Sequence, residues 1–206
     1  MRLLVFIFLL IGFGQISTAY AENKSCSVAF KDTSLASYAV QIDQGKGLIF
    51  PDKKLTSQLN SVGGEGVSLL LCSLMERNKE AFDSLLSNGA DVNLPIRLGY
   101  TIVHYASQIE DSYFLKRVLE VGGNPNQYNT RQMWKPTPLY FAASGDVQEN
   151  VDLLLEAGAN LNEKDVMGET AIVAAANLNN FKLAYYLAVK GADLKIVNKQ
   201  DFTILE

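Results

Sequence analysis

Thr137-Pro138-Leu139-Tyr140-Phe141-Ala142-Ala143 is the stretch from which the rest of the chain can be read. A threonine hydroxyl accepts well from the free N–H groups of a helix's first turn. Proline directly after it stands where its missing N–H costs nothing. Leu139, Ala142 and Ala143 then fall at i, i+3 and i+4, which is one face of a helix. Gly158 lies 21 residues beyond Thr137, with a second apolar face, Val151, Leu154 and Leu155, just before it. Only glycine enters the left-handed conformation after a helix without strain, so Gly158 is read as the stop.

The same frame runs through the chain in both directions. Ser68, Thr101, Thr137, Thr170 and Thr203 follow one another at 33, 36, 33 and 33 residues. Gly89, Gly122, Gly158 and Gly191 each lie 21 residues after the first four of them. The first helix face recurs as Leu70, Ser73 and Leu74, as Val103, Ala106 and Ser107, and as Ile172, Ala175 and Ala176. The second recurs as Phe82, Leu85 and Leu86, as Leu115, Val118 and Leu119, and as Ala184, Leu187 and Ala188. Asn/Asp-rich stretches such as Ala90-Asp91-Val92-Asn93 and Ala159-Asn160-Leu161-Asn162 follow the glycines and predict tight extended turns. Each unit is helix, turn, helix and loop. No single unit can bury both faces, so the units must stack.

Thr137 to Ala143 and Leu85-Leu86-Ser87-Asn88-Gly89-Ala90-Asp91-Val92-Asn93 resemble the ankyrin repeat, as does Thr101-Ile102-Val103-His104. The resemblance implies an all-α ankyrin-repeat solenoid behind an N-terminal helical cap. Its units span 66–98, 99–134, 135–167 and 168–200, with 201–206 opening a partial fifth. Residues 22–65 depart from the frame and are expected to form the cap. Leu35, Tyr38, Ala39 and Ile42 make one helical stripe there, and Leu55 and Leu59 a second before Gly63-Gly64. In ankyrin arrays the loop tips and the inner faces of the first helices form the binding surface.

The ends and the composition limit the function. Arg2, the eleven-residue apolar run Leu3 to Phe13 and the Ala19-Tyr20-Ala21 pattern read as a signal peptide over 1–21, cut after Ala21; the alternative is an uncleaved N-terminal anchor. A membrane span needs roughly 20 apolar residues, so none is expected after cleavage. Export places Cys26 and Cys72 in an oxidising compartment, where a disulfide is allowed. The expectation is a bond; the alternative is a buried thiol at Cys72 and an exposed Cys26. The net charge of −4 gives no basic footprint, which argues against nucleic acid. A single histidine and no C-x-x-C leave no metal site and no cofactor to expect. His104, within T-x-x-H, reads as a structural capping residue. No catalytic constellation emerges, and the protein is expected not to be an enzyme.

Candidate partner-binding residues are Tyr100, Tyr105 and Gln108 in the second unit, Tyr128, Arg131 and Trp134 in the longest loop, and Met167 and Glu169 in the next. Tyr, Trp, Arg and Met are the types enriched in interface hot spots. Two alternatives stay open: Trp134 and Tyr128 packing back on their own insertion, and Tyr105 belonging to the core. A signal peptide on a small ankyrin protein is similar to the exported ankyrin proteins of Gram-negative bacteria. Some of those act as immunity proteins against secreted antibacterial effectors, often lipases. The resemblance implies a periplasmic protein that binds and neutralises a toxin, monomeric until bound. The other readings are a periplasmic accessory or stress-protection protein assisting an enzyme, and a secreted host-directed effector.

Overall fold

A computed structural model describes residues 26–30, 35–48, 58–63, 66–129 and 135–195. Ten α-helices and no strand lie among the described residues. In chain order they are α1 (Cys26–Phe30), α2 (Ala36–Asp43), α3 (Leu69–Met75), α4 (Lys79–Ser87), α5 (Ile102–Ser107), α6 (Ser112–Glu120), α7 (Pro138–Ser144), α8 (Gln148–Glu156), α9 (Ala171–Asn177) and α10 (Phe181–Val189). The fold is the helical ankyrin solenoid that the repeat frame implies. The signal peptide with its cut at Ala21, and the partial fifth unit, lie outside the described residues.

The helices start where the hydroxyl and amide side chains stand. Ser68 Oγ accepts from the Leu71 N–H at 3.1 Å, and Thr137 Oγ1 from that of Tyr140 at 3.2 Å. The second helices use Asn78, Asp111 and Asn180, whose side chains accept from Ala81, Tyr113 and Leu183. Thr170 departs from the pattern: its backbone is extended at φ −116°, yet its hydroxyl makes no capping bond. The helices stop at Gly89, Gly122, Gly158 and Gly191, whose φ values of 86°, 94°, 88° and 100° lie in the left-handed region.

Both repeated faces are buried. Leu70, Leu74, Val103, Ala106, Leu139, Ala142, Ile172 and Ala175 carry the first helices into the core. Phe82, Leu85, Leu115, Val118, Val151, Leu154 and Leu187 do the same for the second. The alanine-rich faces let α7 lie between α5 and α9, so first helix stacks on first helix. Phe82 meets Phe114 edge to face at 5.0 Å across one joint of the second helices.

The cap is built in two ways, one of them unexpected. Leu35, Tyr38, Ala39 and Ile42 are buried as their stripe predicts, and α2 packs on α1 and α3. The Asp43 carboxylate accepts from the Cys26 and Ser27 N–H groups at 2.8 and 3.0 Å, holding the start of α1. Cys26 and Cys72 are bonded, with Cα atoms 5.7 Å apart, and tie α1 to α3. The second predicted stripe is corrected. Leu55 lies outside the described residues, and Leu59 sits in a turn at Gln58–Asn60 instead of a helix. Leu59 and Asn60 stand 33 residues before Val92 and Asn93, so the repeat frame reaches back into the cap.

Candidate functional site

The loops that follow the second helices are joined into one edge by asparagines. Within each turn, a side chain accepts from the N–H two residues on: Asp91 from Asn93, Asn124 from Asn126, Asn160 from Asn162 and Asp193 from Lys195. Between turns, Asn60, Asn93, Asn126 and Asn162 accept from the N–H of Asp91, Asn124, Asn160 and Asp193, each at 2.8 Å. Asn93 and Asn126 also donate through Nδ2 to the Gly122 and Gly158 carbonyls at 3.0 and 2.8 Å. These two amides therefore hold the next turn at both ends. A loop edge fixed this way loses little ordering entropy when it binds.

On this edge the structure separates the candidate residues. Tyr128 is 41% exposed and Met167 38%, so both keep accessible surface. The Tyr128 hydroxyl donates to the Glu163 carboxylate, bridging two successive loops. Gln108 ends α5 at a half-buried position. Arg131 and Trp134 lie outside the described residues. Sequence reasoning passed over Leu98 and Val166, which are 39% and 37% exposed. The signal was available: Leu98 and Met167 each stand three residues before the hydroxyl of the following unit, Thr101 and Thr170.

Tyr100, Tyr105 and Glu169 are corrected: they are buried and offer no contact surface. The residue directly before the hydroxyl turns inward in each described unit, as Val67, Tyr100, Pro136 and Glu169. Tyr100 packs edge to face on Phe141 at 5.2 Å and on Tyr105 at 6.1 Å, joining the second unit to the third. Burial pushes its hydroxyl up to about 12. Glu169 accepts from the Tyr140 hydroxyl at 3.3 Å, and its N–H donates to Asp165 Oδ1 at 2.8 Å. That carboxylate also accepts from the Met167 N–H at 2.8 Å, which sets the loop tip.

His104 has the capping role expected of it. Its Nδ1 accepts from the Thr101 N–H at 3.2 Å and lies 3.0 Å from the Thr101 hydroxyl. Burial drives its pKa down to about 4, so the ring is neutral near pH 7. Among the described residues no group of three or more His, Cys, Asp or Glu side chains is placed to hold a metal ion. No helix among them is long and apolar enough to cross a membrane.

Comparison with known proteins agrees with this geometry. Residues 103–198 match the family model for ankyrin repeats in 3 copies. These residues are ankyrin repeats. The chain is 30% identical over 122 residues to Protein PhlB of Serratia liquefaciens, covering 59% of this chain and 53% of that protein. It is 27% identical over 134 residues to the putative ankyrin repeat protein FPV034 of fowlpox virus, covering 64% of this chain and 30% of that one. Human Rabankyrin-5 is 27% identical over 170 residues, covering 77% of this chain and 14% of its own. The chain thus spans about half or less of these curated relatives. Ankyrin repeats indicate a protein–protein interaction module.

Proposed function

We propose that this protein is a non-enzymatic binding module, exported to a bacterial periplasm, that binds and neutralises a secreted antibacterial effector. The observation that carries the binding role is the loop edge. Leu98, Tyr128, Val166 and Met167 are exposed at its tips while the asparagine bonds beneath them fix the turns. Exposed apolar and aromatic groups on a preorganised base are the makings of a hot spot. The Cys26–Cys72 bond supports export, because structural disulfides persist in oxidising compartments. The similarity to a bacterial protein, PhlB of Serratia liquefaciens, is in keeping with a bacterial setting. A rigid edge that seats on an enzyme's surface blocks access to its active site by covering it.

Co-expression with the effector encoded beside this gene tests the role. A stable one-to-one complex with loss of the effector's activity is expected, and Tyr128→Ala combined with Met167→Glu should weaken it by tenfold or more, as for truncated hot spots. A complex in which the enzyme keeps or gains activity would assign an accessory role instead.

A further inference from the structure

The first link of the loop edge comes from the cap. Asn60 accepts from the Asp91 N–H over 31 residues, the same reach with which Asn93 accepts from Asn124 one unit on. The turn that carries Asn60 is closed by the Ser61 N–H, which donates to the Gln58 carbonyl at 2.8 Å. Gly63 follows it. The Gly63 N–H donates to the Val67 carbonyl at 2.8 Å, and the Gly63 carbonyl accepts from Gly66 at 3.2 Å, which joins this turn to the start of α3.

The end of α1 rests on the same turn. A Cβ at Gly63 would stand 2.6 Å from the Ala29 carbonyl oxygen and 3.1 Å from the Phe30 ring, so the two backbones meet with no side chain between them. At the start of α1, Asp43 holds the Cys26 and Ser27 N–H groups, and Cys26 is bonded to Cys72 of α3. A continuous path of contacts therefore runs from the disulfide through α1 and Gly63 to Asn60 and the first turn of the loop edge.

We propose that the Cys26–Cys72 bond is a redox-set latch for the loop edge. When the bond is made, α1 is seated and Asn60 holds the Asp91 turn. When it is reduced, α1 lifts, the turn at Asn60 loosens and Asp91 is released. Units in a stack contact only their neighbours, so one end opens while the far units stay folded. Both sulfurs are fully buried, so an attacking thiolate reaches the bond only as α1 lifts. A dithiol supplies the electrons: the S–S bond breaks, each sulfur gains one electron and one proton, and the dithiol closes to its own disulfide. Reoxidation needs α1 back in its seat, where the Cα atoms stand 5.7 Å apart. An oxidising compartment thus sets the first turn of the edge, and a reducing one leaves it loose. The consequence for a partner rests on the loop edge being the binding surface.

Amide hydrogen exchange by NMR, on the full chain before and after treatment with dithiothreitol, tests the latch. Amides of α1 and α2 should exchange about a hundredfold faster or more once a loop of 46 residues is no longer closed. The Asp91 N–H should speed up by roughly tenfold, the weight of one hydrogen bond. Asn124, one joint further on, should respond less, and Asn160 and α10 not at all. Cys26→Ala supplies the open state without reagent and should show the same pattern. Asn60→Ala should make Asp91 exchange fast in both redox states while α1 and α2 still respond. Unchanged exchange at Asp91 on reduction overturns the proposal, and so does a redox response at Asp91 that survives in Asn60→Ala. Loss of protection as far as α10 also overturns it, because the bond would then staple the whole chain. The readout needs no partner, so its failure is distinct from failure of the neutralising role.

Discussion

The two ends of the described stack are finished in opposite ways. At one, α1 is bonded to α3, its start is held by Asp43, and Cys26 and Phe30 are fully buried. At the other, α10 leaves Phe181, Tyr185 and Val189 largely exposed. Stacked units pass stability to their neighbours, so each end of the described stack depends on what covers it. The first end is covered within the chain, by a bonded helix. The second leaves an uncharged row of α10 exposed among the described residues. The first described end is closed by a bond within the chain, and the last described helix is not.

The largest effect should come from opening the covalent end. The Cys26–Cys72 bond closes a loop of 46 residues, which restricts the unfolded chain by about 4 kcal/mol in the chain-entropy model. Cys26→Ala should lower the stability in urea by about that much. If the loss is below about 1 kcal/mol, the buried packing of α1 and α2 holds this end without the bond, and the contrast between the ends weakens.

Midway between the ends, His104 gives a pH signature. Its folded pKa of about 4 lies below the unfolded value of 6.5, so the unfolded chain takes up the proton first. Its contribution is complete above about pH 6.5 and is lost as the pH falls toward 4, on the order of 3 kcal/mol in all. Denaturant titrations across this window should show the slope in the native chain and a flatter profile in His104→Gln. An equal slope in both would mean that other groups carry the acid sensitivity.

Much of this was legible in the sequence, and the residues that were misread share a cause. The 21-residue step from hydroxyl to glycine fixes helix starts, stops and buried faces, because caps and apolar periodicity are local properties. The direction in which a loop residue faces is not local. Tyr100 and Met167 are both large residues just ahead of a threonine, yet one is directly before it and turned inward, and the other is three before it and exposed. Placing them needed a count from the hydroxyl, where their residue types alone suggested contact for both. The turns between paired helices were expected from the frame, but no glycine marks their left-handed residue. Arg77, Asp146 and Asn179 take φ values of 53°, 59° and 60°, where glycine would have marked the site. Leu59 was misplaced because a single apolar residue before Asn60 reads equally well as helix or turn. Only the bond from Asp91 to Asn60 decides it.

The asparagine edge links the two ends and should respond at an intermediate level. Asn126→Ala removes the bonds to Asn160 and Gly158 across one joint and to Asn124 none, since there Asn126 donates through its backbone. The two lost bonds are partly exposed, so about 1–2 kcal/mol of stability should go. Partner binding should weaken further than the exposed position of the residue explains, because the tips on either side lose their fixed spacing. Lys195 stands where Asn93, Asn126 and Asn162 stand in earlier units, and its backbone N–H still closes its own turn on Asp193. Lys195→Ala should therefore cost almost nothing, and comparing the two variants isolates the cross-unit bonds.

The smallest effect is expected at the open end, and its smallness is what makes it informative. Phe181→Ser removes a ring that is 67% exposed and lies on no neighbouring ring among the contacts described. Surface substitutions away from caps and core stay within about ±0.5 kcal/mol. The melting curve of Phe181→Ser should overlay the native one. A fall in stability would show that the ring serves its own chain. The α10 surface would then be part of the same structural scheme as the disulfide end, and the two ends would differ in chemistry but not in purpose.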